Sequence, residues 1–255
     1  MPRIAHLSDL HFGEASQALV ESLAADVIMA QPDAVAVSGD LTRRASRDEF
    51  ARAYAFLEML GAPLLVLPGN HDIPHGNLVG RFMHPKRRWQ RARPEDSADQ
   101  LSLDGTRLIG LDTVSRAQWH LDWSAGGITL ERRVRLAAEL EAARGLDVIV
   151  VCHHPLRHGA WATARRAPRE AGATIELLRA QGVKAVLCGH LHQAEMARLN
   201  PEGPLQVIAP SAFSPRGLNA PNGWNLVAVE KGELRVETRE FLSGGWRGRE
   251  LLPAG

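Results

Sequence analysis

Five short polar blocks, each placed where a short apolar run stops, restrict the fold of this chain more than any other feature. They are Ser8-Asp9-Leu10-His11, Ser38-Gly39-Asp40, Pro68-Gly69-Asn70-His71-Asp72, Cys152-His153-His154-Pro155 and Cys188-Gly189-His190-Leu191-His192. The runs ahead of them, 3–8, 34–38, 64–67, 147–152 and 184–188, read as buried strands. Residues 17–30, 47–60, 130–144 and 174–181 repeat apolar side chains at helical spacing instead. Strands alternating with helices predict an α/β domain, and in such folds ligands sit outside the carboxyl ends of the strands. Five strand ends converging there deliver histidines, aspartates and an asparagine into one small volume.

The rest of the chain fits a second sheet. Residues 101–103 and 107–111 flank Asp104-Gly105 as a hairpin, and 205–209, 225–230 and 233–240 read as strands, the last two joined by a turn at Lys231-Gly232. The expectation is one α/β domain over 1–243, two packed sheets with helices outside, and a Gly- and Arg-rich tail at 244–255 that frays. With 255 residues the chain is long enough to bury a substantial core.

Composition mainly excludes. A formal net charge of +1 gives no global field toward nucleic acid. Cys152 and Cys188 form no CxxC pair, so no disulfide framework is indicated and a reducing cytoplasm is expected. The start lacks the apolar stretch of a signal peptide, and no apolar run approaches the roughly 20 residues that span a bilayer.

A mixed imidazole and carboxylate donor set suits Fe, Mn or Zn, whereas an all-oxygen set suits Mg or Ca. Asp-x-His and His-x-His place both side chains on one side of an extended segment. Gly39, Gly69 and Gly189 permit sharp turns and close backbone approach. Two cations roughly 3.5–4 Å apart activate water and stabilise a phosphoryl group under in-line attack.

Together the blocks resemble the calcineurin-like metallophosphoesterase superfamily, whose pattern runs D-x-H, G-D, G-N-H-[D/E], H and G-H-x-H. All five stand here in order, from Asp9 to His192, over most of the chain. The resemblance implies a four-layer α/β/β/α sandwich with a two-metal site at the sheet edge. It implies Asp9, His11 and His192 on one metal, Asn70, His153 and His190 on the other, and Asp40 bridging them. It further implies that His71 contacts the substrate phosphate and assists the leaving group, that Asp72 orients His71, and that a metal-bridging hydroxide is the nucleophile. His153 stands two residues before Pro155, the family's ligand position, and His154 is expected to pack behind it.

The blocks look most like the class III cyclic-nucleotide phosphodiesterase branch, with Leu156 where that branch often has a second proline. The expected partner is a small phosphate ester, a diester first. The alternatives are a phosphomonoesterase, a hydrolase of nucleotide-sugar lipid pyrophosphates, and a catalytically silent scaffold. One branch of the lipid enzymes has Arg where this chain has His71.

Some residues fall outside the pattern. His6, Cys152 and Cys188 are expected to pack as core residues, and His120 is left without a role. The basic stretch 81–93, with Phe82, Met83 and Trp89 interleaved, is either a solvated helix face with its aromatics on the core or a wall beside the metals. As a wall it would touch an anionic substrate, a nucleobase or a membrane surface.

Overall fold

Alternation along the short strands decides the layering. A computed structural model of the chain describes all residues except 75–82, 95–96, 116–123, 163–165, 215–219, 231–232 and 255. Strands β1 (Arg3–Leu7), β2 (Ala34–Val37) and β3 (Leu64–Val66) are parallel neighbours, and every residue of β2 and β3 is buried. Val35 and Val37 face one way, against Leu23 and Val27 of helix α1 (Gln17–Met29) and Phe50 and Leu57 of α2 (Arg47–Met59). Ala34 and Ala36 face the other way, into a second apolar layer shared with the opposite sheet. A strand buried on both faces must read as continuously apolar, as these do.

The opposite sheet is built the same way. Strands β4 (Gln100–Leu103), β5 (Thr106–Leu111), β6 (Asp147–Cys152), β7 (Ala185–Cys188), β8 (Glu195–Arg198) and β9 (Leu205–Ile208) stand in the order β4-β5-β6-β7-β9-β8. Ile149, Val151 and Leu187 meet the first sheet, while Val148, Val150 and Val186 pack on Leu136, Leu140 and Leu178 of α4 (Leu130–Ala142) and α5 (Ala171–Ala180). Between α2 and β4 lies a short helix, α3 (Arg87–Ala92), inside the basic stretch. Helix, sheet, sheet and helix give the expected α/β/β/α sandwich.

Register brings the polar blocks together. Leu7 pairs with Val37 and Val37 with Val66, so the first three blocks leave the first sheet at one level. In the second sheet Val151 pairs with Leu187, which aligns the last two.

The C-terminal third completes the first sheet in the order β12-β11-β10-β1-β2-β3, with β10 (Gly223–Glu230) antiparallel to β1, followed by β11 (Glu233–Leu242) and β12 (Gly245–Glu250). The expected frayed tail is therefore corrected. Residues 245–250 form an edge strand paired with β11, anchored where the Trp246 ring lies tilted 5.2 Å from Phe241 and donates its indole N–H to Ser22 Oγ at 2.9 Å. Strand β8 was not anticipated, helix α3 with Trp89 in the core matches the helix-face reading of the basic stretch, and the turn at Lys231-Gly232 lies outside the described residues.

One buried contact ties α1 to this third. Asp26 accepts from Trp224 Nε1 at 2.9 Å and from Arg239 Nε at 3.1 Å. Asp26→Ala leaves the buried indole N–H without its partner and should lower stability by about 2 kcal/mol. Urea denaturation checks this; an unchanged midpoint would count against the contact.

Candidate metal centre

The chain reverses its backbone at each strand end to aim the polar side chains inward. Asp9, His11, Asp40, His190 and His192 have φ of 52°, 44°, 53°, 69° and 60°. The left-handed region costs an L-residue roughly 1–2 kcal/mol, and such outliers cluster where function requires them. This corrects the reading of Asp-x-His and His-x-His as extended segments. Period-two alternation does not operate here; paired left-handed residues turn both side chains to the site and bury Leu10 and Leu191 between them. Backbone hydrogen bonds hold the turns, Asp9 N donating to Gly39 O at 3.0 Å and His11 N to Asp40 O at 2.9 Å.

Two glycines make room for the carboxylates. A methyl group at Gly69 would collide with the carboxylate and amide of Asp40, and one at Gly189 with Ser8 Oγ and the Asp9 carboxylate. Both side chains would have to leave the site.

The donor atoms converge closely. His192 Nε2 lies 3.0 Å from Asp9 Oδ1, and His11 Nε2 lies 3.2 Å from His192 Nε2. His153 Nε2 lies 3.4 Å from Asp40 Oδ2 and 3.1 Å from Asn70 Oδ1. Asp40 Oδ2 also stands 3.8 Å from His11 Nε2, so one oxygen faces both groups. The His190 ring centroid is 5.1 Å from that of His153, and the His190 amide donates to Asp9 Oδ2 at 2.8 Å. Asp9, His11 and His192 offer one cluster of ligand atoms, and Asp9, Asp40 and His153 an overlapping one.

Electrostatics show why a cation fits. Burial pushes the Asp9 carboxyl up, but His192 and His153 outweigh it and hold it below the usual carboxylate range. Asp40 behaves alike: burial raises it, and His153, His71 and His11 bring it well below. Burial pulls His153 down, yet Asp40 and Asp9 lift it to about 9, so a proton on imidazole stands in for positive charge. Asp9 Oδ1 and His11 Nδ1 are buried without a hydrogen-bond partner. Such atoms are costly unless paired or coordinating a metal. The residues fit two metal ions.

Neighbouring residues divide between packing and support. His154 donates from Nε2 to Ser124 O at 2.8 Å and accepts at Nδ1 from Thr113 Oγ1 at 2.8 Å, and burial pulls its pKa down to about 3. Although its ring nitrogen lies near those of His153 and His190, its lone pair is already used. His6 is buried, with Nε2 3.0 Å from Ser38 Oγ, and burial pulls it down to about 3. Cys152 and Cys188 are buried, and burial pushes the Cys152 thiol up to about 12. His120 lies outside the described residues.

The expected contact between Asp72 and the His71 ring is corrected. Asp72 accepts from Gly69 N at 2.8 Å, Leu41 N at 3.1 Å, Thr42 N at 2.9 Å and Thr42 Oγ1 at 2.9 Å, which ties the Asp40 and Asn70 loops together. Burial, then Asp40, push its carboxyl up to about 6 against those donors. The His71 ring instead donates from Nδ1 to Arg43 O at 3.0 Å, and its backbone N–H donates to Asp40 Oδ1 at 2.8 Å. Sequence reasoning missed Arg43, whose contribution is a carbonyl that every residue has. It also missed Ser8, whose hydroxyl donates to Asp9 Oδ2 at 2.6 Å, and Ser211, whose hydroxyl donates to Asp9 O at 2.7 Å.

Comparison with known proteins gives a consistent picture. The sequence model of the calcineurin-like phosphoesterase family matches residues 2–194. The glycerophosphodiester phosphodiesterase GpdQ of Enterobacter lignolyticus (strain SCF1) is 29% identical over 208 residues, 76% of this chain and 72% of the relative. The 3',5'-cyclic adenosine monophosphate phosphodiesterase CpdA of Escherichia coli (strain K12) is 26% identical over 212 residues, 75% and 70% of the two chains. A dimetal phosphatase from Danio rerio shares the fold, with a TM-score of 0.65 at 12% identity, covering 98% of this chain and 99% of that one.

Two substitutions separate ligation from packing. Gly189→Ala should abolish stoichiometric metal in the purified protein, whereas His154→Ala should keep the full complement. Elemental analysis alongside circular dichroism checks both; full metal in the glycine variant would show that the centre tolerates the methyl group.

Proposed function

The chain belongs to the calcineurin-like phosphoesterase family and is a metal-dependent phosphoric ester hydrolase, and on that premise we propose that it is a two-metal phosphodiesterase cleaving small phosphodiesters with water. The observation that carries this reading is Asp40. Its Oδ1 is taken by the His71 amide, while Oδ2 faces His11 on one side and His153 on the other. A single buried carboxylate oxygen shared between two donor groups is what a pair of bridged cations needs. Asp40 would be the residue held in common by both ions, its other oxygen being occupied by the His71 amide.

In this reading Asp9, His11 and His192 hold one cation, Asn70, His153 and His190 the other, and Asp40 joins them. Manganese, iron and zinc all suit the set. When bound, the two ions lower the pKa of water and neutralise phosphoryl charge. The protein's own residues do the remainder. The carbonyl of Arg43 fixes Nδ1 of His71 as the protonated nitrogen, so a second proton on Nε2 is the one His71 passes to the departing oxygen. Asp72 supports this from behind, by fixing the loop that carries Asn70 and His71.

The preference for diesters is supported by the relatives named glycerophosphodiester and cyclic-nucleotide phosphodiesterases. Among the described residues no helix is long and apolar enough to cross a membrane. A reducing cytoplasm suits the two buried, unpaired thiols.

A manganese-supplemented panel of bis(p-nitrophenyl) phosphate, p-nitrophenyl phosphate, cyclic AMP and UDP-diacylglucosamine tests the proposal. Diester cleavage far above monoester cleavage is the expected result; activity confined to the lipid substrate would overturn it. Asp40→Ala should lose metal and turnover together. His71→Ala should keep metal while kcat falls roughly 10²–10⁴-fold, and a wild-type rate in that variant would remove His71 from the chemistry.

A further inference from the structure

The metal centre does not account for the arginines of the basic stretch. A cavity of about 600 Å³ lies between α2 and α3, lined by Arg47, Arg87, Arg88, Arg91 and His84 over a floor that includes Phe50. Among the described residues no carboxylate lines it, and none of the four arginines has an ionic partner. The basic residues on either side of them differ. Lys86 pairs with Asp112, and Arg93 pairs with Asp99 at 2.7 Å. Among the described residues, charge on this helix is therefore compensated outside the cavity and left uncompensated within it.

Local structure opposes that arrangement. Helix α3 carries Arg87 and Arg88 in its first turn with no acidic residue there, so cations sit at the positive end of the helix dipole. Arg87 and Arg91 are four apart and repel along one face. Two contacts nevertheless fix the helix in place. Trp89 packs into the core beneath it, and Arg88 Nη1 donates to Ala45 O at 2.9 Å, directly before the N-cap of α2. A conflict between local sequence and local stability, held in register by packing, marks a site kept for something external.

We propose that this cavity is a second anion site, which binds a phosphate-bearing molecule through the guanidinium groups of Arg47, Arg87, Arg88 and Arg91. Guanidinium forks match phosphate oxygens and stay charged at any physiological pH. The volume lies in the range of small-molecule pockets, and the apolar floor accepts the organic part of a phosphate ester. The ester comes from a soluble metabolite or from a lipid headgroup, and the chemistry of recognition is the same for both.

Inorganic phosphate titrated calorimetrically into the manganese-loaded protein, at low salt, tests the site. The Arg87→Ser/Arg91→Ser variant should lose one class of binding, weakened roughly tenfold or more. Its metal content and its turnover of bis(p-nitrophenyl) phosphate should match wild type. Arg87→Lys/Arg91→Lys, which keeps the charge, should recover part of the affinity and controls for folding. Identical isotherms in wild type and serine variant would overturn the proposal. Two further arms assign the source. Sedimentation with phosphatidylcholine vesicles carrying phosphatidic acid, lost in the serine variant, identifies a lipid headgroup. Binding of glycerol 3-phosphate without sedimentation identifies a soluble ester, and failure of both arms overturns the site. A chain that binds phosphate here yet cleaves no diester keeps this site and loses the activity proposed above.

Discussion

Two carboxylates with essentially no solvent exposure, Asp9 and Asp40, are the constraint around which the molecule is arranged. Taking an ionised carboxylate out of water is prohibitive unless positive charge and N–H donors surround it. Every element near the site contributes to that end. The His190 and His71 amides, the Ser8 hydroxyl and the imidazoles of His192 and His153 all point at one or other carboxylate. In the cluster as it stands, Asp40 and Asp9 hold a proton on His153, which supplies part of that positive charge.

Holding the carboxylates there has a cost in backbone conformation. Five non-glycine residues of the site lie in the left-handed region, and Gly69 and Gly189 stand where any side chain would intrude. These strained turns persist because the strands behind them are fully buried and locked in register. Val37 pairs with both Leu7 and Val66, and apolar layers cover both faces of the sheet. A rigid double sheet resists the relaxation that would let each loop return to a comfortable geometry.

Much of this was legible before any coordinates. Strand positions followed from apolar runs that helices cannot match in length, and the convergence of Asp9, Asp40, Asn70, His153 and His190 followed from where those runs stop. What could not be read depended on contacts remote in sequence. Residues 245–250 looked unstructured because Gly and Arg dominate them; pairing with β11 makes them a strand, and the Trp246 indole anchors it to Ser22, 224 residues away. Asp72 looked like a partner for its neighbour His71, whereas its acceptors serve amides some 30 residues earlier. The side chains of Asp-x-His share a side as expected, but through inverted turns, which no pattern of apolar and polar residues encodes.

The pairing of β1 with β10 bears on how the protein is made. β1 pairs with β10, which begins only at Gly223, and the carbonyl of Asp9 accepts from the hydroxyl of Ser211, 202 residues away. That edge of β1 stays open during folding until segments this remote in sequence have met. Until they meet, the unpaired edge is a template for pairing with other chains, and late closure of the sheet is what removes that hazard.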